Sequence, residues 1–92
     1  MVLNVEPGHV DALVGIAELA LAEGNLPVAG DRVSAAIAAD RQSAQAWIAR
    51  GQLEVARNRF EHAEAVFRKA AELNPDSARA TIALARILLS LG

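Results

Sequence analysis

The 92-residue chain has no cysteine, one lysine, no tyrosine, two histidines and three aromatic residues, Trp47, Phe60 and Phe67. Without cysteine there is neither a disulfide scaffold nor a thiolate zinc site. A formal net charge of −2 argues against a protein held to nucleic acid by phosphate contacts. No apolar run reaches the ~18 residues of a membrane span. Arg79 and Arg86 interrupt the most apolar stretch, which argues against direct membrane insertion. Met1–His9 has neither a basic start nor an apolar signal core. Strand-forming runs of aromatic and β-branched residues are also missing. Present instead is apolar content of 53% with 21 alanines, which excludes a disordered chain and favours helix. The length suits one small domain.

The chain aligns with itself at a shift of 34 residues. Ala12 meets Ala46 and Ala80, Val14 meets Ile48 and Ile82, and Ala17 meets Gly51 and Ala85. Leu19 meets Leu53 and Ile87, while Leu21 meets Val55 and Leu89. Punctuation returns as well: Gly24 with Asn58 and Gly92, Ser43 with Ser77, and Pro7 with Pro75 two periods away. Alanine-rich helices match by chance in their alanine columns but not in their turns.

Local signals divide each period into two helices. Residues 9–23 carry Leu13, Ile16, Ala17, Ala20 and Leu21 at i, i+3, i+4, i+7 and i+8, the stripe of an amphipathic helix. Gly24 suits a left-handed cap, and Asn25 caps a second helix with Pro27 in its first turn, running to about Ala39. Ser43 opens a third helix that ends near Asn58, and a fourth spans about Phe60–Leu73. Asn74-Pro75-Asp76-Ser77 stops it, and Ser77 or Asp76 caps the fifth.

A 34-residue helix–turn–helix period, with Trp47, Gly51, Ala63, Phe67, Ala70 and Pro75 in its middle copy, resembles the tetratricopeptide repeat family. Phe60 fits a further aromatic place, whereas Arg50, Glu54 and Arg41 depart from the pattern. The resemblance implies an all-α, right-handed solenoid of about five helices in antiparallel pairs. Its units would be 10–43, 44–77 and the first helix of a third, 78–92, with 1–9 as the tail of a preceding unit.

Catalytic and cofactor chemistry is not legible. His9 and His62 stand at helix starts without partners and lack metal-site spacing. Nucleophile-elbow, phosphate-loop and HExxH motifs are absent. Arg50–Glu54, Arg57–Glu61, Glu64–Arg68 and Arg68–Glu72 are i, i+4 pairs that read as a solvated ionic face. Arg57-Asn58-Arg59, beside Glu54 and Glu61, reads as loop charge. The expectation is a protein with no enzymatic activity and no cofactor.

The resemblance implies that the first helix of each unit faces a binding groove. Val14, Ile48 and Ile82, with Leu21, Val55 and Leu89, would then form its apolar columns. Asp11, Gln45 and Arg79, with Glu18, Gln52 and Arg86, would flank it, running acidic, neutral, basic along the array. Such a groove suits a protein partner's amphipathic helix or apolar peptide, oriented by charge. On this reading Ile48→Glu or Arg86→Glu weakens capture and leaves helicity intact. The family's chaperone-tail clamp would need Lys and Asn at Val14 and Glu18, Asn at Ala49 and Arg at Ala83; only Arg79 is compatible. The rival reading is self-association, a homodimer formed through Leu84, Ile87, Leu88 and Leu91 on an apolar terminal helix. Basic helical RNA-binding arrays fit poorly, because acids and bases balance in the groove columns. The arginine-over-lysine bias with much alanine points to a GC-rich bacterial genome. The expected compartment is cytoplasmic, with the periplasm or cell envelope as the alternative for a longer chain.

Overall fold

The structure, a computed structural model, describes residues 7–91. It contains five helices: α1 (Pro7–Ala22), α2 (Leu26–Ala39), α3 (Ala44–Ala56), α4 (Phe60–Leu73) and α5 (Ala78–Leu91). No strand occurs among the described residues. Helix α1 begins at Pro7, two residues before the start expected at His9; a first-turn proline lacks only an N–H that would have no helical partner. The rest of the expected preceding tail, residues 1–6, and the punctuation position Gly92 lie outside the described residues.

The turns explain why the chain folds into hairpins. Gly24 and Asn58 both adopt positive φ, 77° and 61°. Behind them the Asn25 N–H donates to the Ala20 carbonyl at 2.8 Å and the Arg59 N–H to the Glu54 carbonyl at 2.8 Å. Gly24 N–H to Leu21 and Asn58 N–H to Val55 complete two Schellman motifs, 34 positions apart. The Asn25 side chain caps α2 by accepting from the Val28 N–H. Between hairpins, the Ser43 and Ser77 hydroxyls accept from the Ala46 and Ala80 N–H groups, each at 3.2 Å. The Asp40 and Asn74 side chains accept from the Gln42 and Asp76 N–H groups just upstream. The same hydrogen-bond pattern, 34 positions apart, therefore fixes both turns, with a serine cap in each and an aspartate in one where the other has an asparagine.

Packing follows the same repetition. Helices α1 and α2 form one hairpin, and α3 and α4 the next. The α1–α2 hairpin buries Val10, Leu13, Val14 and Ala17 with Val33 and Ala36, and seats Ala46 and Ala49 of α3. The α3–α4 hairpin buries Ile48, Ala63, Phe67 and Ala70, and seats Ala80 and Ile87 of α5. Ala20, Ala29 and Leu53 form a smaller cluster at the tip of the first hairpin. Alanine at these contacts lets the backbones approach closely.

Curvature is set by which helices meet. Helix α1 touches α3 and α3 touches α5, whereas α2 and α4 do not touch. The odd-numbered helices crowd together and the even-numbered ones splay, so the array bends towards the face formed by α1, α3 and α5. Its extents are 49 × 29 × 16 Å.

Candidate functional site

The inner face holds most of the residues singled out from the sequence, though not as two continuous apolar columns. Val14 and Ile48 are each 2% exposed, whereas Ile82 in the same column is 51% exposed. This corrects the expectation of a solvent-facing floor at those positions. The reason is packing from two sides: Val14 is buried by α2 and α3, and Ile48 by α4 and α5, so each aliphatic is covered by its own hairpin partner and by the next unit. Ile82 has no such neighbour among the described residues. Ile48→Glu would therefore place a carboxylate in the core and unfold the array rather than report on binding. In the second column Leu21 and Val55 are half-buried while Leu89 is 82% exposed.

What the inner face offers is a groove between α3 and α5. One recess of about 190 Å³ is lined by Gln52, Val55, Phe60, Phe67, Ala83, Arg86, Ile87 and Ser90. An adjoining recess of about 170 Å³ is lined by Ile48, Gln52, Arg79, Ile82, Ala83 and Arg86. Gln52, Ala83 and Arg86 belong to both, so an amide and a guanidinium stand where the two meet. The sequence columns bring Ile48, Gln52, Val55, Arg79, Ile82 and Arg86 together here. Asp11 on α1 and Gln45 on α3 are exposed but line neither recess. The phenylalanines were not expected in the groove because they belong to α4. Their signal was Gly51: without a side chain there, the Phe67 ring reaches between α3 and α5.

Electrostatics ties the face together. The Arg79 guanidinium donates to the Glu18 carboxylate at 2.7 Å, linking α5 to α1 over the top of α3. Two flanking charges thus satisfy each other rather than waiting singly for a partner. Arg86 has no carboxylate partner among the described residues, and neither does Asp11.

Three further placements differ from the sequence-based reading. Ile87 is buried and Leu84 half-buried against the α3–α4 core, because α5 turns that stripe inward; they do not form an outer contact surface. Leu88 and Leu91 do face outward. Glu54, expected on a solvated ionic face, is 2% exposed. Its Oε2 accepts from Arg50 Nε at 2.9 Å, while Oε1 has no hydrogen-bond partner and lies 3.9 Å from Arg59 Nη1. Arg68 pairs with Glu64, but the expected Arg57–Glu61 and Arg68–Glu72 pairs do not form. Trp47 donates its indole N–H to the Arg41 carbonyl at 2.8 Å, pinning the start of α3 to the preceding turn.

His9 and His62 are exposed, and no cluster of three or more metal-ligating side chains occurs among the described residues. No helix among them is long and apolar enough to cross a membrane.

Paired helices, duplicated turn chemistry and a curved inner face describe a helical repeat array. Residues 44–87, from the start of α3 to the buried Ile87 of α5, match the tetratricopeptide repeat family. Over those residues the chain is similar to tetratricopeptide repeats. No curated protein matches it. Tetratricopeptide repeats mediate protein–protein interaction and are characteristically non-catalytic scaffolds. The match opens on α3 and takes in α4 and most of α5.

Proposed function

We propose that this tetratricopeptide array binds a peptide or helix of a protein partner along its inner face, across the α3–α5 groove. The partner's apolar side chain enters the recess lined by Phe60, Phe67, Val55 and Ile87. A carboxylate or main-chain carbonyl beside it meets Arg86 and the Gln52 amide. The supporting observation is the junction itself: a mainly apolar recess and an adjoining, more polar one share an amide and a guanidinium that has no carboxylate partner among the described residues. A few directed polar groups on an apolar wall fix a ligand's register while burial supplies affinity. The Glu18–Arg79 pair lies across one end of this path and limits how far a ligand extends towards α1. Units 10–43, 44–77 and 78–92 are the repeat boundaries that fit this arrangement.

The test is selection of ligands from a displayed peptide library, followed by binding to variants with circular dichroism as a folding control. Ile82→Glu and Arg86→Glu alter exposed side chains and leave helicity intact. Selected peptides rich in an acidic–apolar pair that lose at least tenfold in affinity to either variant are the expected result. Peptides that bind both variants as tightly as the parent chain would remove the groove from consideration.

A further inference from the structure

On the side of α3 turned away from the inner groove lies a further recess, of about 380 Å³, between α2 and α3. Its lining includes Gly30, Asp31 and Ser34 of α2 and Arg50, Leu53 and Arg57 of α3. Residues 50, 53 and 57 follow one another at i, i+3 and i+7, about half a turn around α3 from Ile48, Gln52 and Val55. The recess therefore sits at the junction of the two hairpins, and no residue of α5 contributes to it.

Its polar lining is particular to this junction. Arg50 and Glu54, two of the residues that depart from the tetratricopeptide pattern, have Ile16 and Ala20 as counterparts one period before and Leu84 and Leu88 one period after. Arg57 corresponds to Glu23 and Leu91, and Gly30, Asp31 and Ser34 correspond to Glu64, Ala65 and Arg68. Where α5 carries leucines, α3 carries two guanidinium groups.

Both guanidinium groups are held in place with donors left over. Arg50 donates through Nε to the buried Glu54 carboxylate at 2.9 Å, while its Nη groups make no hydrogen bond among the described residues. Because Glu54 Oε1 has no hydrogen-bond partner, the pair is a weak source of stability; what it does is fix Arg50. Arg57 has no carboxylate partner among the described residues. It lies against α2 where there is no side chain: a Cβ on Gly30 would stand 3.3 Å from Arg57 Nη2. The Ser34 hydroxyl adds a further donor. Two guanidinium groups against the Asp31 carboxylate leave the lining one net positive charge, and Arg59, 3.9 Å from Glu54 Oε1, offsets the acid behind it. A single negative charge balances that lining; a dianion overshoots it.

We infer that this recess receives an acidic side chain of a protein partner, its carboxylate seated between Arg50 and Arg57. Planar guanidinium groups donate paired N–H bonds to the two oxygens of a carboxylate. Ser34 donates to the same group, and Asp31 accepts from a main-chain N–H beside it. Leu53 supplies an apolar wall for the methylene groups of the partner's side chain. The recess and the inner groove lie on opposite sides of α3, so one chain holds a ligand in each at the same time.

NMR titration of the isotope-labelled chain with hexaglutamate, acetylated and amidated so that only side-chain carboxylates remain, tests this. The peptide should move the Gly30 and Ser34 amide signals and the Arg50 and Arg57 Nε–H signals. Arg57→Gln should weaken that binding about fivefold or more. Arg32→Gln removes the same charge from an exposed position of α2 outside the recess and should change it less than about twofold. Circular dichroism verifies that each variant folds. Arg86→Glu, which disables the proposed inner groove, should leave the recess signals responding as in the parent chain, so the two readings fail separately. Equal losses in Arg57→Gln and Arg32→Gln would mean diffuse surface attraction and overturn the inference, as would signals that move on the inner face alone. So would inorganic phosphate, or hexaglutamine with a free C-terminus, moving the same signals at lower concentration than hexaglutamate; the first marks a dianion site and the second a site for chain ends.

Discussion

Gly51 on α3 lies so close beneath the Phe67 ring of α4 that a Cβ on it would stand 2.3 Å from Cε1. The contact joins the two helices of the central hairpin, and it works only with one small and one large partner. Gly51→Ala forces the ring to shift and should cost about 1–3 kcal/mol. Phe67→Ala empties the space and should cost about 3–5 kcal/mol. In the double variant the new methyl fills part of the vacated volume, so the two costs should fall short of additivity. Urea unfolding midpoints of the three variants measure this; strict additivity would show that the side chains do not share one space.

Burial of Glu54 predicts an asymmetry between it and Arg50. Arg50→Met leaves the carboxylate in the core without its closest donor and should destabilise by about 1–3 kcal/mol. Glu54→Met removes the buried charge, while Arg50 and Arg59 keep enough exposure to be hydrated. Its stability should lie near or above that of the parent chain, as for other buried pairs replaced by apolar side chains. Thermal unfolding of both variants gives the ordering, and equal losses would contradict it.

At the two Schellman turns the same backbone state is held by different residues. Gly24→Ala introduces a Cβ at φ 77° and should cost about 1–2 kcal/mol. Asn58→Gly relaxes φ 61° and should change stability by no more than about 0.5 kcal/mol, since asparagine already tolerates this region. Chemical denaturation of the pair tests the difference.

Ser43 and Ser77 cap in the same way but in different surroundings. Loss of either hydroxyl as alanine should cost about 1 kcal/mol. The effects should spread differently: α3 is packed on both sides, α5 against α3 and α4 only. Hydrogen exchange should therefore show Ser43→Ala lowering protection across the array and Ser77→Ala mainly along α5. A uniform loss in both variants would mean that the array unfolds as a single cooperative unit.

How much was readable in the sequence depended on the distance over which each feature is determined. Gly24, Asn58, Ser43 and Ser77 announce turns and caps because their partners lie within a few residues. Helix number and the 34-residue period follow from the same signals. The exposure of Val14 and Ile48 was not legible, since periodicity marks the face of a helix but not what covers it. Ile87 likewise reads as one more aliphatic on α5 until Phe67 is placed beside it. Glu54 reads as half of a surface ion pair because charge is ordinarily solvated; only the closeness of the hairpin tip buries it. The Glu18–Arg79 contact joins residues 61 positions apart, and no local pattern announces it.

That last contact adds one salt-sensitive tie to a curvature otherwise set by helix packing. Glu18 and Arg79 act as a strut from the first helix to the fifth on the hollow side, and both ends of the strut are partly hydrated. Concentrated electrolyte weakens such a strut by shielding, leaving the spacing of α1 and α5 to the stacked side chains alone. A pair this exposed contributes about 0–1 kcal/mol, so rising ionic strength should loosen the outer two units only slightly, and the stacked cores keep the curvature.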